Sequence, residues 1–189
     1  YGLVSVVTNG AFSYTIGGWP PPIGIEFILD PLSSFMTLIV TGISLLVIIY
    51  GYRVVPTEHP KKQVSYFSVV LLMLTGFSGI VLTGDLFNLY VFLEIASLSS
   101  YALVAVGDKR SPVASFRYLM LGSIGSSFYL LGIGFIYFMG GSLNMADVSR
   151  ILPFINEEPA VIAGLALVVT GIALKMGLFP LHYWLPDAY

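Results

Sequence analysis

The chain has 189 residues, of which 57% are hydrophobic and 10% are charged, with a formal net charge of -2. Soluble domains average about 25% charged residues, so this composition indicates an integral membrane protein. No basic patch points to nucleic acid as a partner. Cysteine is absent from the sequence, which excludes disulfides, thiolate zinc sites and cysteine-held iron–sulfur clusters within this polypeptide.

Cofactor chemistry has few candidate ligands here. The two histidines, His59 and His182, are far apart in the sequence, which argues against a haem or a metal site held by this chain alone. We therefore expect no cofactor and no metal in the chain, and any redox centre would belong to another subunit. Because the sequence begins with Tyr1 rather than Met, we interpret it as a piece of a longer protein with no signal peptide to remove.

Residues 1–30 are predicted to form part of an earlier span followed by an external hairpin-like loop. The first residues are apolar enough to be the tail of a span. From Phe12 onwards apolar residues alternate on either side of a turn rich in Gly and Pro, with Trp19 near the membrane interface. Asp30 followed by Pro31 then has the pattern of a helix start, with the aspartate as N-cap and the proline at the first helical position.

Five apolar stretches beyond residue 30 are long enough to cross a bilayer, which requires about 20 residues. They cover residues 31–52, 63–83, 84–107, 112–140 and 159–178, and the last one is then broken. The predicted fold is an all-α polytopic membrane protein with a discontinuous helix near its C-terminus.

The distribution of lysine and arginine predicts an orientation. When the spans alternate in direction, one side of the membrane receives Arg53, Lys61, Lys62, Lys109, Arg110 and Arg117, and the other side receives Arg150. By the positive-inside rule, loops 53–62 and 107–112 are expected in the cytoplasm, and the hairpin-like loop and the 141–158 loop outside. The expected location is the cell membrane, with several passes through the lipid bilayer.

Glu94 is an acid near the middle of the 84–107 span, roughly 14 Å from the start of that helix. A charge at such depth costs at least ~2.5 kcal/mol on insertion scales, so an intramembrane acid usually faces a protein interior or a water-filled path. The same helical face carries Tyr90, Ser97 and Tyr101, whose hydroxyls can hydrogen-bond a carboxyl or continue a water chain. The alternative is a structural acid satisfied by these hydroxyls or by another helix.

Lys175 ends an apolar run and is followed by a sequence rich in helix breakers, KMGLFPLHYWLPDAY. Depth alone leaves open whether this lysine lies in the membrane or snorkels to the far interface. Gly177, Pro180 and Pro186 favour a discontinuous helix, which is tolerated at membrane depth where it lines a cavity. In this broken region, His182 is either a titratable relay or a hydrogen-bonded residue that stabilises the break.

Two further features of the spans have ordinary interpretations. Small residues in the 112–140 span, including Gly122 and Ser126, are interpreted as helix-packing positions, because lipid gives helices no hydrophobic drive to associate. Arg117, about a turn and a half inside this span, either snorkels to the interface or pairs with an acid.

His59 lies in a charged loop and is expected to be a solvated surface residue.

An acid and a base on separate helices, with few other charges inside the spans, suggest a coupled pair. The segments that contain them, GDLFNLYVFLEIASLSSYAL and ALKMGLFPLHYWLPDAY, occur together with an upstream GGWPPPIGIEFILDPLS. Together they resemble the antiporter-like subunit family shared by respiratory complex I, Mrp-type cation/proton antiporters and membrane-bound hydrogenases. The sequence around Glu94 and the GGWPPP segment resemble most closely the D-type subunits of Mrp antiporters and the hydrogenase branch.

This resemblance implies a fragment of an inverted-repeat, antiporter-like helix bundle that stops inside the break of the first repeat. It also implies that Glu94 and Lys175 form a pair in an ion pathway and that His182 is the motif histidine of the break. The implied function is translocation of protons, with coupling to sodium left open. The protein would work with other membrane subunits, and no redox chemistry is expected in this chain even within an NADH dehydrogenase or hydrogenase complex.

Two other functions remain to be weighed against ion translocation. A structural membrane subunit would anchor a respiratory complex without conducting ions. A quinone-binding or oxidoreductase role has little support, since no cofactor ligands are visible in the sequence.

Overall fold

The computed structural model describes residues 2–107 and 110–188. Its elements are α1 (Gly2–Asn9), β1 (Phe12–Thr15), β2 (Glu26–Leu29), α2 (Pro31–Glu58), α3 (Gln63–Leu82), α4 (Leu86–Val104), α5 (Ser111–Gly140), α6 (Met145–Ile155), α7 (Pro159–Met176) and α8 (Leu185–Ala188). Within the described ranges, five helices are long and apolar enough to cross a membrane, namely α2, α3, α4, α5 and α7. The chain is therefore an all-α polytopic membrane protein with one small hairpin. Of the loop predicted at 107–112, Asp108 and Lys109 lie outside the described residues.

Helix α2 extends beyond the apolar stretch that predicted it, to Glu58 instead of residue 52. The apolar pattern stops where the chain leaves the apolar layer of the membrane. The helix continues past that point, so the charged Arg53 is still helical. The helix ends at His59, which has φ -133° and ψ 62°. This residue precedes Pro60, and a residue before proline is disfavoured in the α conformation.

The segment between α1 and α2 is an antiparallel hairpin that packs against the turn between α3 and α4. Phe12 lies opposite Leu29 across the two strands. Strand β2 also forms an isolated bridge between Phe27 and Thr83, and the Gly84 N–H donates to the carbonyl of β2 residue Glu26 at 3.0 Å. The hairpin is thereby fixed to one end of the helix bundle.

A buried polar cluster forms the same end of the bundle. The Asp85 carboxylate caps α4 by accepting from the Asn88 N–H at 2.7 Å. Asn144 caps α6, bridges to Asp85 and donates from its side-chain amide to Glu26 Oε1 at 2.7 Å. These bonds join the hairpin, the start of α4 and the 141–158 connection, most of which is the helix α6 instead of an extended loop.

Helices α5 and α7 pack with their backbones in close approach. A Cβ atom added at Gly132 would lie 2.6 Å from the Gly164 carbonyl oxygen, and one added at Gly171 would lie 2.5 Å from the Gly125 carbonyl oxygen. These distances leave no room for a side chain, and the neighbours in question are backbone atoms that cannot move aside alone. The glycines of α5 that face α7 are thus packing positions.

We expect Gly132→Ala to lower the stability of the complete protein by about 1–3 kcal/mol, because the new methyl group must push α5 and α7 apart. The matched control is Gly134→Ala two residues later, where a Cβ would meet nothing within 4 Å. That control should be neutral or stabilising, since alanine favours a helix over glycine. Thermal unfolding in mild detergent measures both, and equal effects would contradict this packing.

Asp30 caps α2 through a reciprocal pair of hydrogen bonds with Ser33. The carboxylate accepts from the Ser33 N–H at 2.7 Å, and the Ser33 hydroxyl oxygen accepts from the Asp30 N–H at 2.8 Å. The hydrogen bonds from Ser33 hold the pKa of Asp30 below its ordinary value of 3.8. The ionised cap therefore stabilises the fold above that ordinary pKa, and its contribution is lost as the pH falls through the lowered folded-state value.

The variant Asp30→Ala is expected to lose about 1 kcal/mol of stability at neutral pH, a typical value for an N-cap. Asp30→Asn keeps an acceptor and should lose less at neutral pH. Its difference from the native protein should shrink further on acidification, because the asparagine does not titrate. Unfolding curves recorded between neutral and acidic pH test this, and native stability of Asp30→Ala at neutral pH would show that the cap does not contribute.

Candidate functional site

Glu94 of α4 and Lys175 of α7 form an ion pair inside the bundle. Lys175 Nζ donates to Glu94 Oε1 at 2.9 Å and to Ser97 Oγ at 2.7 Å. The hydroxyl of Ser126, on α5, donates to the same Glu94 oxygen. The exposed fraction of the side chain is 11% for Lys175 and 26% for Glu94. Lys175 is therefore turned inward to the acid and does not snorkel to an interface.

The end of α7 brings Lys175 to the depth of its partners. Glu94 lies near the middle of α4 and Ser126 near the middle of α5, whereas Lys175 is in the last turn of α7. Helix α7 therefore ends level with the middle of its neighbours. The C-terminal end of a helix carries a partial negative charge, which stabilises a cation such as the Lys175 ammonium in the last turn.

Local hydrogen bonds terminate α7 at this depth. Gly177 adopts φ +62°, a conformation that favours glycine, and the Leu178 N–H donates to the Ala173 carbonyl at 2.9 Å. The indole N–H of Trp184 donates to the Leu174 carbonyl, also at 2.9 Å. These bonds satisfy carbonyl groups at the helix end that an apolar surrounding would otherwise leave unpaired.

An aromatic stack connects α4, α5 and residues 177–188, which follow the end of α7 and are called here the segment after the break. The Tyr101 ring meets Tyr118 edge-on, with centroids 4.4 Å apart, and Tyr118 stacks on Trp184 at 4.1 Å with an interplanar angle of 3°. The Tyr101 hydroxyl is buried and has no hydrogen-bond partner among the described residues. A Cβ added at Gly122 would overlap this hydroxyl, so the glycine makes room for it.

Tyr90 lies beside the ion pair across a small cavity. The cavity has about 10 Å³ of space for the centre of a water molecule, which is close to the minimum that a single water requires. It is lined by Tyr90, Leu93, Ser126, Tyr129, Gly171, Ile172 and Lys175. Of the three hydroxyl residues predicted beside Glu94, Ser97 contacts Lys175 directly, while Tyr90 and Tyr101 lie on either side.

His182 lies in the broken region, away from the ion pair. Its ring packs against Phe179 with centroids 5.5 Å apart, and its carbonyl accepts from the Leu185 N–H at 2.9 Å. The buried Nδ1 atom has no hydrogen-bond partner in the part of the chain that the structure describes. In those same residues no hydrogen bond or ion pair joins His182 to Glu94 or Lys175.

Sequence reasoning missed Ser126 as a member of the site, since a serine among glycines is typical of helix packing. The available signal was its position near the middle of the neighbouring span, at the depth of Glu94. Of the two alternatives for Arg117, snorkelling and pairing with an acid, the structure shows pairing: Arg117 lies 2.5 Å from Asp187. The sequence pattern does not identify this partner.

The fold and the site together define a polytopic α-helical membrane protein with a buried acid–base pair beside a broken helix. Residues 83–189 match the family described as NADH:quinone oxidoreductase/Mrp antiporter, TM, and residues 20–53 match the family described as NADH-Ubiquinone oxidoreductase (complex I), chain 5 N-terminus. The chain belongs to this family of NADH:quinone oxidoreductase and Mrp antiporter membrane subunits.

Similar proteins are named either as subunits of NADH-quinone oxidoreductases or as subunits of Na(+)/H(+) antiporters. The N subunit of the NADH-quinone oxidoreductase of Desulforudis audaxviator is 47% identical over 185 residues, which are 98% of this chain and 37% of that protein. The D subunit of the Na(+)/H(+) antiporter of Bacillus subtilis is 37% identical over 188 residues, again 98% of this chain and 37% of that protein. The predicted family is confirmed.

Among solved structures, a chain of the membrane-bound sulfane sulfur reductase, an archaeal respiratory membrane complex, has a TM-score of 0.92 and 38% identity. The match covers 100% of this chain and 38% of that chain. The chain thus spans less than half the length of the relatives that it matches.

Removal of the Ser126 hydroxyl should weaken the hydrogen bonding of Glu94 without removing its lysine. We expect Ser126→Ala to lower stability by about 2 kcal/mol, as for a hydrogen bond to a charged group, and to shift the infrared band of the Glu94 carboxyl. The matched control is Ser127→Ala, because the Ser127 hydroxyl donates to the Ser123 carbonyl of its own helix. Isotope-edited infrared spectra of the two variants should differ, and matching spectra would contradict the contact.

Proposed function

We propose that this chain is part of an ion-translocating membrane subunit in which Glu94 and Lys175 relay protons. The observation that carries the proposal is the contact of 2.9 Å between Lys175 Nζ and Glu94 Oε1. Family membership supports it, since the family includes proteins named as subunits of Na(+)/H(+) antiporters. Ionisable residues within the membrane and discontinuous helices are also features that mark ion and proton pathways in membrane proteins.

The relay works through two opposing effects on the pair. Burial in an apolar surrounding disfavours both charges, while their mutual attraction favours both. A small increase in separation or hydration therefore changes which protonation states are stable. When Lys175 moves away from Glu94, its ammonium loses its counter-charge and releases a proton, and Glu94 becomes free to accept one.

The neighbouring hydroxyls extend the path in both directions from the pair. Ser97 accepts from Lys175, and the buried hydroxyl of Tyr101 lies one turn further along α4. Tyr90 borders the cavity on the other side. In this proposal His182 acts as a relay group beyond the break, where its buried Nδ1 is available for a hydrogen bond when the segment moves.

The proposed subunit lies in the cell membrane with residues 53–62 and 107–112 on the cytoplasmic side, as the positive-inside rule predicts. The hairpin and α6 then face the outside. Its partners are other membrane subunits, since the relatives are named as subunits, together with lipid and protons. Co-purification of the complete protein in mild detergent tests this, and partners with redox centres would identify a redox-driven complex instead of a gradient-driven antiporter.

Sodium coupling is the second candidate function, favoured by the name of the Bacillus subtilis relative. The geometry of the pair favours protons, because the Lys175 ammonium occupies the position beside Glu94 that a bound cation would need. Parallel measurement of radioactive sodium uptake separates the two. Sodium movement that requires Glu94 would establish coupling, and sodium movement independent of Glu94 would place it elsewhere.

We expect Glu94→Gln and Lys175→Met, each made in the complete protein, to reduce proton transport at least tenfold while the complex still assembles. Each variant removes a titrating group without a large change in volume. The matched controls are Glu58→Gln and Lys61→Met, which alter exposed residues at the end of α2 and in the turn that follows it. Dye-monitored proton uptake into membrane vesicles measures transport, and a native gel measures assembly.

Wild-type transport in either site variant would remove the relay proposal. If neutralising Glu94 leaves transport intact but a bulky residue at Gly122 prevents assembly, the chain is instead a structural subunit that anchors a complex without conducting ions.

A further inference from the structure

A second ion pair joins α5 to the segment after the break. Arg117 Nη1 lies 2.5 Å from Asp187 Oδ2, and the two side chains are 50% and 41% exposed. Arg117 is six residues beyond the start of α5, roughly 9 Å along the helix, so the pair lies between the start of α5 and the depth of Glu94. Neither residue belongs to the relay proposed above.

The residues next to this pair make a second contact between the same elements. Tyr118, adjacent to Arg117, stacks on Trp184 at 4.1 Å, and Trp184 lies three residues before Asp187. Two consecutive residues of α5 therefore hold two residues of the segment after the break. This double contact fixes the direction of the segment as well as its distance from α5.

The contact reaches Lys175 through the end of α7. The indole N–H of Trp184 donates to the carbonyl of Leu174 at 2.9 Å, and Leu174 directly precedes Lys175. Residues 178–184, between α7 and α8, form no regular helix. Their position therefore depends on the contacts that hold the two ends of this stretch. A displacement of Trp184 would free the Leu174 carbonyl and loosen the last turn of α7, which carries Lys175.

We propose that Arg117 and Asp187 are positioning residues that clamp the segment after the break, so that Lys175 remains in contact with Glu94. This inference rests on the proposed function. An ion pair in water contributes little to stability. The pair nevertheless fixes where Asp187 lies relative to α5, so neutralising one partner removes this tie and the segment is free to shift.

The test uses proton transport by the complete protein in its assembled complex. Arg117→Gln and Asp187→Asn are each expected to lower transport roughly tenfold and to shift its pH profile, since misplacement by about 1 Å can lower a rate by up to about 100-fold. Arg117→Lys, which keeps the charge, should retain most of the activity. Arg53→Gln neutralises an exposed arginine of α2 and should leave transport and pH profile unchanged.

The reversed pair is the decisive variant. Arg117→Asp and Asp187→Arg should each be inactive alone, and the double variant should recover transport at least fivefold over either single variant, because the clamp is restored with opposite polarity. The infrared band of the Glu94 carboxyl should shift in the single variants and return in the double variant. This readout would not move if the pair served assembly alone.

The outcomes separate the two proposals. If Glu94→Gln is inactive but Arg117→Gln and Asp187→Asn transport like the wild type with the same pH profile, the clamp is overturned and the relay stands. Failure of the reversed pair to recover transport, or single variants that lose assembly with no change in the Glu94 band, would also overturn the clamp. If Glu94→Gln transports normally, the relay proposal is wrong, and the clamp that rests on it is overturned as well.

Discussion

A charge in the middle of a lipid layer must be neutralised, and the contact between Glu94 and Lys175 meets this requirement. An isolated charge at this depth costs at least ~2.5 kcal/mol on insertion scales, so each member makes the other tolerable. The contact constrains the rest of the bundle. Helix α7 must end where its last turn can present a lysine to α4, and Ser126 of α5 must come close enough to donate to Glu94. The end of α7 directly after Lys175 is therefore needed to form the acid–base pair.

Helix α5 must both let α7 approach closely and place a hydroxyl beside Glu94, and its small and polar residues do this. Its glycines let the α7 backbone approach so closely that a Cβ added at Gly125 would lie 3.7 Å from Lys175 Cγ. The next residue, Ser126, donates to Glu94. Further towards its N-terminus, Arg117 and Tyr118 hold the segment after the break. One helix thus sets the distance between the acid and base helices and also the position of the segment that follows the base.

The sequence suggested the acid–base pair because few other charges lie inside the apolar spans, although depth alone left the place of Lys175 open. Glu94 and Lys175 stand out in apolar spans, and the glycines and prolines after Lys175 indicated the break. Ser126 could not be recognised, because a serine in a glycine-rich helix is typical of helix packing, and only the rotation of α5 about its axis turns it towards Glu94. The partner of Arg117 was equally hidden, since Asp187 is 70 residues away in sequence and is placed by a segment without regular helix. Contacts that depend on helix rotation or on irregular backbone are those that periodicity does not encode.

Among the described residues, the two ends of the bundle differ in how fully their polar groups are paired, and this difference bears on where movement in the proposed relay would begin. At the hairpin end, Asp85 and Asn144 cap their helices and are bridged to each other, which fixes the start of α4. At the end with the break, the Tyr101 hydroxyl and His182 Nδ1 are buried without partners among the described residues. A buried polar atom without a partner is unfavourable, so a motion or a water molecule that satisfies it is favoured. Rearrangement should therefore begin on the side of the break, where the Lys175 end of α7 can shift relative to a Glu94 helix that is held at its start.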